Sequence, residues 1–297
     1  MIERYLLRYF LAVVNAGSFS KAAARVHVTQ PTLSVGIAKL ETLVGAPIFH
    51  RTSQRVHLTE AGARLLTHAR RIENEFNVLA RSAIGAGETR LVRLGVLSTI
   101  PTASLERLVA EHRQRDDGGQ IEIVEGGERD LVVRLGRGRI DLALTTLRED
   151  GEWRQEPLYQ EHYSLALPRW HRFAPADTVR AEDLAEETMI VRRHCEALSK
   201  ISRHFTERGV RPRFSFRTTN DDKALSLVRA GLGITVMPDG YRDPDVARPR
   251  LAGFELTRRI GIVHGNGSGL SGEEAPLLDA IRAVMGSSRK GGGVVIS

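Results

Sequence analysis

Residues 17–40 read Gly17-Ser18-Phe19-Ser20-Lys21-Ala22-Ala23-Ala24-Arg25-Val26-His27-Val28-Thr29-Gln30-Pro31-Thr32-Leu33-Ser34-Val35-Gly36-Ile37-Ala38-Lys39-Leu40. Two helices with a tight turn between them account for this stretch. Ser18 follows Gly17 and stands where an N-cap is needed for a helix over 19–25. Thr29 is placed to cap a third helix over 31–43, with Pro31 in its first turn, where a missing N–H costs nothing. The run Ala22-Ala23-Ala24 lets the second helix approach a neighbour closely, and only a few residues around Val28 separate it from the third. That is a helix-turn-helix arrangement. Upstream, Leu6, Leu7, Phe10, Leu11 and Val14 fall at helical spacing, which adds a first helix over 2–15.

Downstream, Ile48-Phe49 and Val56-His57-Leu58 flank Arg51-Thr52-Ser53-Gln54-Arg55 and read as a short hairpin with a basic tip, the wing of a winged helix-turn-helix. Thr59 then caps a further helix, with Glu60 favourably placed in its first turn. Leu58, Gly62, Leu65, Ala69, Ile72, Phe76, Leu79 and Ala83 follow with alternating steps of four and three, a heptad seam that wants a partner helix. Leu65, Ile72, Phe76 and Leu79 are the candidate dimerisation residues. The bland alternative is a helix packed on its own domain.

The chain has 297 residues, 41% apolar and 27% charged, a length that predicts about two domains with ordinary cores. Its single cysteine, Cys195, excludes an internal disulfide framework and any CxxC motif, and fits a cytoplasmic home. No apolar run approaches the ~20 residues of a membrane span. The short run after Arg8 is interrupted by Asn15, so no export signal is expected. Residues 1–90 carry 12 Lys and Arg against 6 acidic residues, and residues 91–297 carry 31 against 30. The basic excess thus sits in the first third, as expected of a module facing a polyanion.

After a hinge at Gly85-Ala86-Gly87, strand and helix signals alternate: strands over 91–97, 121–125, 140–145, 163–168, 189–193, 214–217, 231–238 and 259–264. Helices are expected over 105–113, 131–135, from 181, and over 197–207, 222–230 and 276–285. This alternation predicts an α/β domain with a largely parallel sheet. The glycine-rich tail over 287–297 is expected to be disordered.

These residues resemble the LysR-type transcriptional regulators over almost the whole chain. The resemblance rests on Phe10-Leu11-Ala12-Val13, Gly17-Ser18-Phe19-Ser20-Lys21-Ala22-Ala23, Thr29-Gln30-Pro31-Thr32-Leu33-Ser34, Ile37-Ala38-Lys39-Leu40-Glu41, Leu43-Val44-Gly45, Ile48-Phe49-His50-Arg51 and Leu58-Thr59-Glu60-Ala61-Gly62. Weaker similarity follows in 139–144, 157–158 and 227–238. It implies a winged helix-turn-helix domain over 1–58, a dimerising linker helix over 59–88, an effector-binding domain over 89–288 and a flexible tail over 289–297. The effector domain is then built like a periplasmic solute-binding protein. Subdomain I covers about 91–158 and 260–286 and subdomain II about 162–257, with crossings near 158–161 and 256–259 and ligand between the halves. The implied partners are double-stranded DNA with an interrupted palindromic operator, a small-molecule effector, and a second copy in a homodimer or homotetramer. No cofactor, metal or membrane is implied.

On the third helix Gln30, Thr32 and Ser34 face outward near the N-terminus while Leu33, Ile37 and Leu40 point inward. Gln30 and Ser34 are the leading base readers, next to Pro31. Val35 and Gly36 stand where many relatives carry long polar side chains, so Val35 is left to touch a thymine methyl and shape readout gains weight. Lys21, Lys39, Arg51 and Arg55 are candidate phosphate or minor-groove contacts, although solvated surface charge looks the same in sequence.

In the effector domain Ser98, Thr99 and Thr102 end a strand just before a helix, where free N–H groups and hydroxyls favour an anion. The resemblance places the cleft at this loop. Pure N-capping is the plainer reading. Thr145 and Thr146 end another strand; Arg192, His194, Cys195, Thr218 and Thr219 are candidates from the far subdomain. A small carboxylate facing Arg192 is the expected effector. The peroxide-sensing branch of the family has a reactive cysteine near the position of Cys195, which leaves a redox-responsive regulator as an alternative, without a second cysteine for a disulfide switch. A third class, a solute-binding or enzymatic α/β protein with a basic appendage, lacks support: there is no HExxH spacing, and the GxGxxG match at 267–272 lies too near the C-terminus for a dinucleotide site.

Overall fold

The computed structural model describes residues 1–51, 56–84, 91–115, 119–149, 151, 153–265 and 274–287. It divides into two compact units, residues 1–88 with 133–139, and residues 89–132 with 140–297. The tail, the 267–272 glycine motif and the hinge glycines fall outside the described residues.

In the first unit, α1 (Arg4–Ala16), α2 (Phe19–Arg25) and α3 (Gln30–Val44) close around Leu6, Phe10, Val13, Leu33, Ile37 and Leu40, all buried. Gly17 ends α1 with φ 64°, the left-handed region that glycine enters freely. The Thr29 hydroxyl accepts the Thr32 amide at 3.3 Å and caps α3, as its position requires. Ser18 stands at the N-cap of α2 but its side chain makes no capping bond, so the expectation for that residue is corrected. β1 (Phe49–Arg51) and β2 (Val56–Leu58) form the antiparallel wing, with His50 opposite His57. Its tip, including Arg55, lies outside the described residues, as does the side chain of Arg51.

Helix α4 (Glu60–Ile84) runs for 25 residues. Its cap, Thr59, accepts the Gly62 amide at 3.0 Å and donates to the Pro47 carbonyl at 2.7 Å, which ties the helix to the wing. Three seam positions are corrected. A Cβ on Gly62 would lie 2.1 Å from the Ile48 carbonyl oxygen, so this glycine serves a close backbone crossing within its own domain. Leu65 packs partly buried against the helical core of its own chain, as does Ala69, which is fully buried. Ile72, Phe76 and Leu79, further along, are exposed at 42%, 36% and 60%.

The second unit carries β3 (Val92–Leu97), α5 (Thr102–Arg113), β4 (Ile121–Gly126), the start of α6 (Glu128–Gly136), β5 (Leu142–Thr146) and β6 (Gln155–Pro168). Then come β7 (Thr178–Val179), β8 (Thr188–Arg192), α7 (Leu198–Glu207), β9 (Arg213–Thr218), α8 (Asp221–Arg229) and β10 (Thr235–Pro238). It closes with β11 (Val246–Ala247), β12 (Arg250–Leu251), β13 (Thr257–His264) and α9 (Ala275–Ser287). The helix expected from residue 181 is a single 3-10 turn, Glu182–Leu184.

The main sheet has the order β10-β6-β13-β5-β3-β4, with β11 also on β6. β3 pairs in parallel with β4 and β5, but β13 is antiparallel to β5 and β6, and β10 is antiparallel to β6. The sheet is therefore mixed rather than largely parallel. The reason is connectivity: β6 carries the chain out of the first half and β13 carries it back alongside. β6 is one 14-residue strand that pairs with β13 up to His162 and with β10 from Tyr163. Beyond that handover β8 and β9 form a small parallel sheet, β12 pairs with β7, and Met189 bridges to Ile234. α7 packs Phe205 into a core with Leu165, Leu167 and Val236.

Candidate functional site

The outward face of α3 presents Gln30, Pro31, Thr32 and Val35 to solvent, with Ser34 half-buried and Val35 69% exposed. Gly36 is a packing glycine: a Cβ there would meet the Tyr9 ring at 2.6 Å, so α3 lies close on α1. Ser20 donates to the Gln30 side-chain carbonyl at 3.3 Å, which fixes Gln30 across the two helices of the motif. Lys21 is exposed. Lys39 is not bare: its ammonium donates to Glu3 at 2.8 Å and to the Tyr5 hydroxyl at 3.2 Å, and these bonds raise its pKa. This corrects its assignment as an open phosphate contact.

The second unit holds a hydrogen-bonded polar cluster around the hydroxyl loop after β3. Thr99 is 1% exposed. Its hydroxyl accepts Arg258 Nη1 at 2.7 Å, and its carbonyl accepts Nη2 at 2.9 Å. Arg258, at the start of β13, also donates from Nε to Glu161 of β6 at 2.8 Å and from Nη1 to Glu196 at 2.5 Å. Burial alone would favour discharging this guanidinium, but Glu161 and Glu196 outweigh burial and hold it charged. The Tyr163 hydroxyl donates to Glu196 at 2.7 Å, and burial pushes this phenol's pKa up, so the proton stays on. Burial likewise works to raise the Glu196 carboxyl, yet Arg258 and the donated hydrogen bonds win and hold it below the usual carboxylate range.

Thr102, the first residue of α5, donates its hydroxyl to Asp222 at 2.6 Å, and its amide points at the same oxygen at 3.3 Å. Asp222 belongs to the first turn of α8. Arg192, 2% exposed, forms a two-bond pair with Asp221 and donates to the Val236 carbonyl at 2.8 Å. Arg192 is thus spent inside its own subdomain, which corrects its expected role as the cation facing a ligand. Thr218 is also accounted for, because its hydroxyl accepts the Asn220 amide at 3.0 Å in the turn that starts α8. Thr219 and His194 are exposed. The buried hydroxyls of Ser98, Thr145 and Thr146 have no hydrogen-bond partner.

A cavity of about 560 Å³ opens beside Glu196, lined by Thr146, Gln160, Tyr163, Lys200 and Arg258 among others. Cys195 faces elsewhere, into an apolar cavity of about 750 Å³ between α7 and the β8–β9 sheet. The thiol is buried, and burial pushes its pKa up while Arg192 pulls the other way. Sequence reasoning missed Glu161, Glu196, Asp222 and Arg258. A carboxylate partner 62 residues away in the chain leaves no local pattern.

A helix-turn-helix with an open recognition face, joined to an α/β unit with a polar cleft, defines a DNA-binding regulator with a sensor domain. The comparisons agree. Residues 5–63 match the model of the bacterial regulatory helix-turn-helix proteins of the lysR family, and residues 85–286 match the LysR substrate binding domain. The DNA-binding transcriptional dual regulator OxyR of Escherichia coli (strain K12) is 31% identical over 289 residues, 94% of each chain. The HTH-type transcriptional regulator ShiR of Corynebacterium glutamicum (strain R) is 32% identical over 282 residues, 91% of this chain and 95% of that one. Among solved structures, HinK from Pseudomonas aeruginosa is similar in fold, with a TM-score of 0.57 and 24% identity over 97% of this chain and all of that one. The chain belongs to the LysR family of transcriptional regulators.

Proposed function

We propose that this regulator reads an interrupted palindromic operator as a homodimer or homotetramer in the bacterial cytoplasm, and that a small molecule bound in the cleft beside Thr99 sets its activity. The observation that carries the reading is the open N-terminal face of α3. There Gln30, Thr32 and Val35 are exposed while the inward face is buried, the division expected of a major-groove helix. Gln30 and Ser34 read bases, with Pro31 setting the first turn; Lys21, Arg51 and Arg55 contact phosphates. Footprinting on the DNA flanking its own coding region, followed by a ligand screen on that complex, tests both halves. Absence of a protected two-fold site would reject the operator reading, and a complex indifferent to every ligand would reject the sensor reading.

A second reading comes from the relatives, several of which are hydrogen peroxide-inducible genes activators, such as that of Dickeya chrysanthemi, 29% identical over 288 residues. In it Cys195 is oxidised by peroxide to a sulfenic acid, with water as the other product. Burial and the raised thiol pKa oppose the reading, since the thiolate is the reactive form. Peroxide-dependent change in operator binding that Cys195→Ser abolishes would favour it.

A further inference from the structure

The anion-attracting groups of the hydroxyl loop, and the buried guanidiniums of Arg192 and Arg258, are each matched by a carboxylate of the chain itself. The hydroxyl of Thr99 and the guanidinium of Arg258 hold Glu196. The N-terminus of α5, through the hydroxyl and amide of Thr102, holds Asp222. Arg192 holds Asp221. The Glu196 side chain is the one of the three that reaches a cavity wall, with 23% of its surface exposed. Its Oε1 receives the Arg258 and Tyr163 bonds, and its Oε2 receives the 3.3 Å bond from Thr99.

We infer that Glu196 is the specificity-determining residue of the cleft: a tethered carboxylate that fills the subsite formed by Thr99 and Arg258, which an anionic effector would otherwise take. This rests on the reading of the cleft as the effector site. A tethered group competes at high effective concentration, so a free carboxylate does not displace it. The charge balance points the same way. Arg258 faces two carboxylates, Glu161 at 6% exposure and Glu196, so this subsite carries a surplus negative charge, although Lys200, Arg148 and Arg259 line the rest of the cavity. An anion entering here meets that surplus.

The test is chemical rescue. Glu196→Ala removes a CH2–COO⁻ fragment, which acetate restores. Thermal unfolding of the full-length protein is followed in sodium acetate and in sodium chloride of equal ionic strength. The variant unfolds several degrees below wild type in chloride and recovers, saturably, in acetate on the order of tens of millimolar, the weak affinity expected of a four-atom ligand. Wild type does not distinguish the two salts. Glu196→Gln, which keeps the volume and leaves no vacancy, also shows no acetate effect. Recovery of folded Glu196→Ala only from acetate buffer counts as rescue; should even that fail, Glu196→Ser is measured in its place against the same outcomes. Equal acetate stabilisation of wild type and the truncated variant, or stabilisation of neither, overturns the inference. Operator binding measured on the same samples separates this result from failure of the regulator reading, because rescue of the fold does not require DNA.

Discussion

At Gly62 an added methyl group would press on a backbone carbonyl, whereas at Gly36 it would press on the movable edge of the Tyr9 ring. Gly62→Ala is therefore expected to lower stability by about 1–3 kcal/mol, as overpacking does, and Gly36→Ala by less. Urea unfolding of the two variants checks the order. Arg192 and Asp221 are each 2% exposed, and removing one partner leaves a buried charge alone. Arg192→Met is expected to cost about 3–5 kcal/mol, more than the double change Arg192→Met with Asp221→Leu. A double-mutant cycle by denaturant unfolding measures this. At this scale the sequence was legible where a local rule applied. Thr29 and Thr59 cap their helices as a hydroxyl before a helical run is placed to do, although Ser18 in the same kind of position does not. It was illegible where charges met across the fold. Ser98, Thr99 and Thr102 marked the loop, but the carboxylate partners of Thr99 and Thr102 come from residues 196 and 222, and only the tertiary fold brings those near.

Among the helices, α4 shows how a periodic pattern divides between two tasks. Its first turns, through Leu65 and Ala69, belong to the core of its own chain, and its later turns expose Ile72, Phe76 and Leu79. The seven-residue repeat was plain in the sequence; the point along it where intrachain packing stops was not, because both halves use the same spacing. Ile72→Glu with Phe76→Glu is expected to shift the protein toward monomer in light scattering and to weaken operator binding at least tenfold. An unchanged mass with normal binding would refute the pairing. On α3 and the wing, Arg51→Ala is expected to reduce the salt dependence of DNA binding by about one unit of slope, while Ser34→Ala alters preference among operator variants. The mixed sheet was the main misreading among the elements. Strand and helix alternation alone cannot reveal that β13 runs against β5.

For the whole molecule, several buried groups respond to acid in the same direction. Burial lowers the pKa of His204 and His264, so the unfolded chain takes up protons that these residues refuse when folded. Their contribution is present above the usual histidine value of about 6.5 and is lost as pH falls below it. Glu156, held low by its bonds from Arg282, and Glu196 add stability that is present above the usual carboxylate range and lost as pH falls through their lowered values. The melting temperature is therefore expected to fall by a few degrees from pH 7 to pH 5.5 and more steeply below pH 4. A calorimetric pH series that stayed flat down to pH 5 would contradict the histidine part.

The excursion that leaves along β6 and returns along β13 closes on itself. The amide of Tyr163 donates to the carbonyl of Leu256 at 3.3 Å, so the exit and the entry lie side by side. In genetic terms residues 163–256 form a cassette: a sensor half whose two splice points already touch. Trading this half then needs only recombination at two neighbouring strands, and chimaeras cut at these positions are the natural proteins for transplanting ligand specificity.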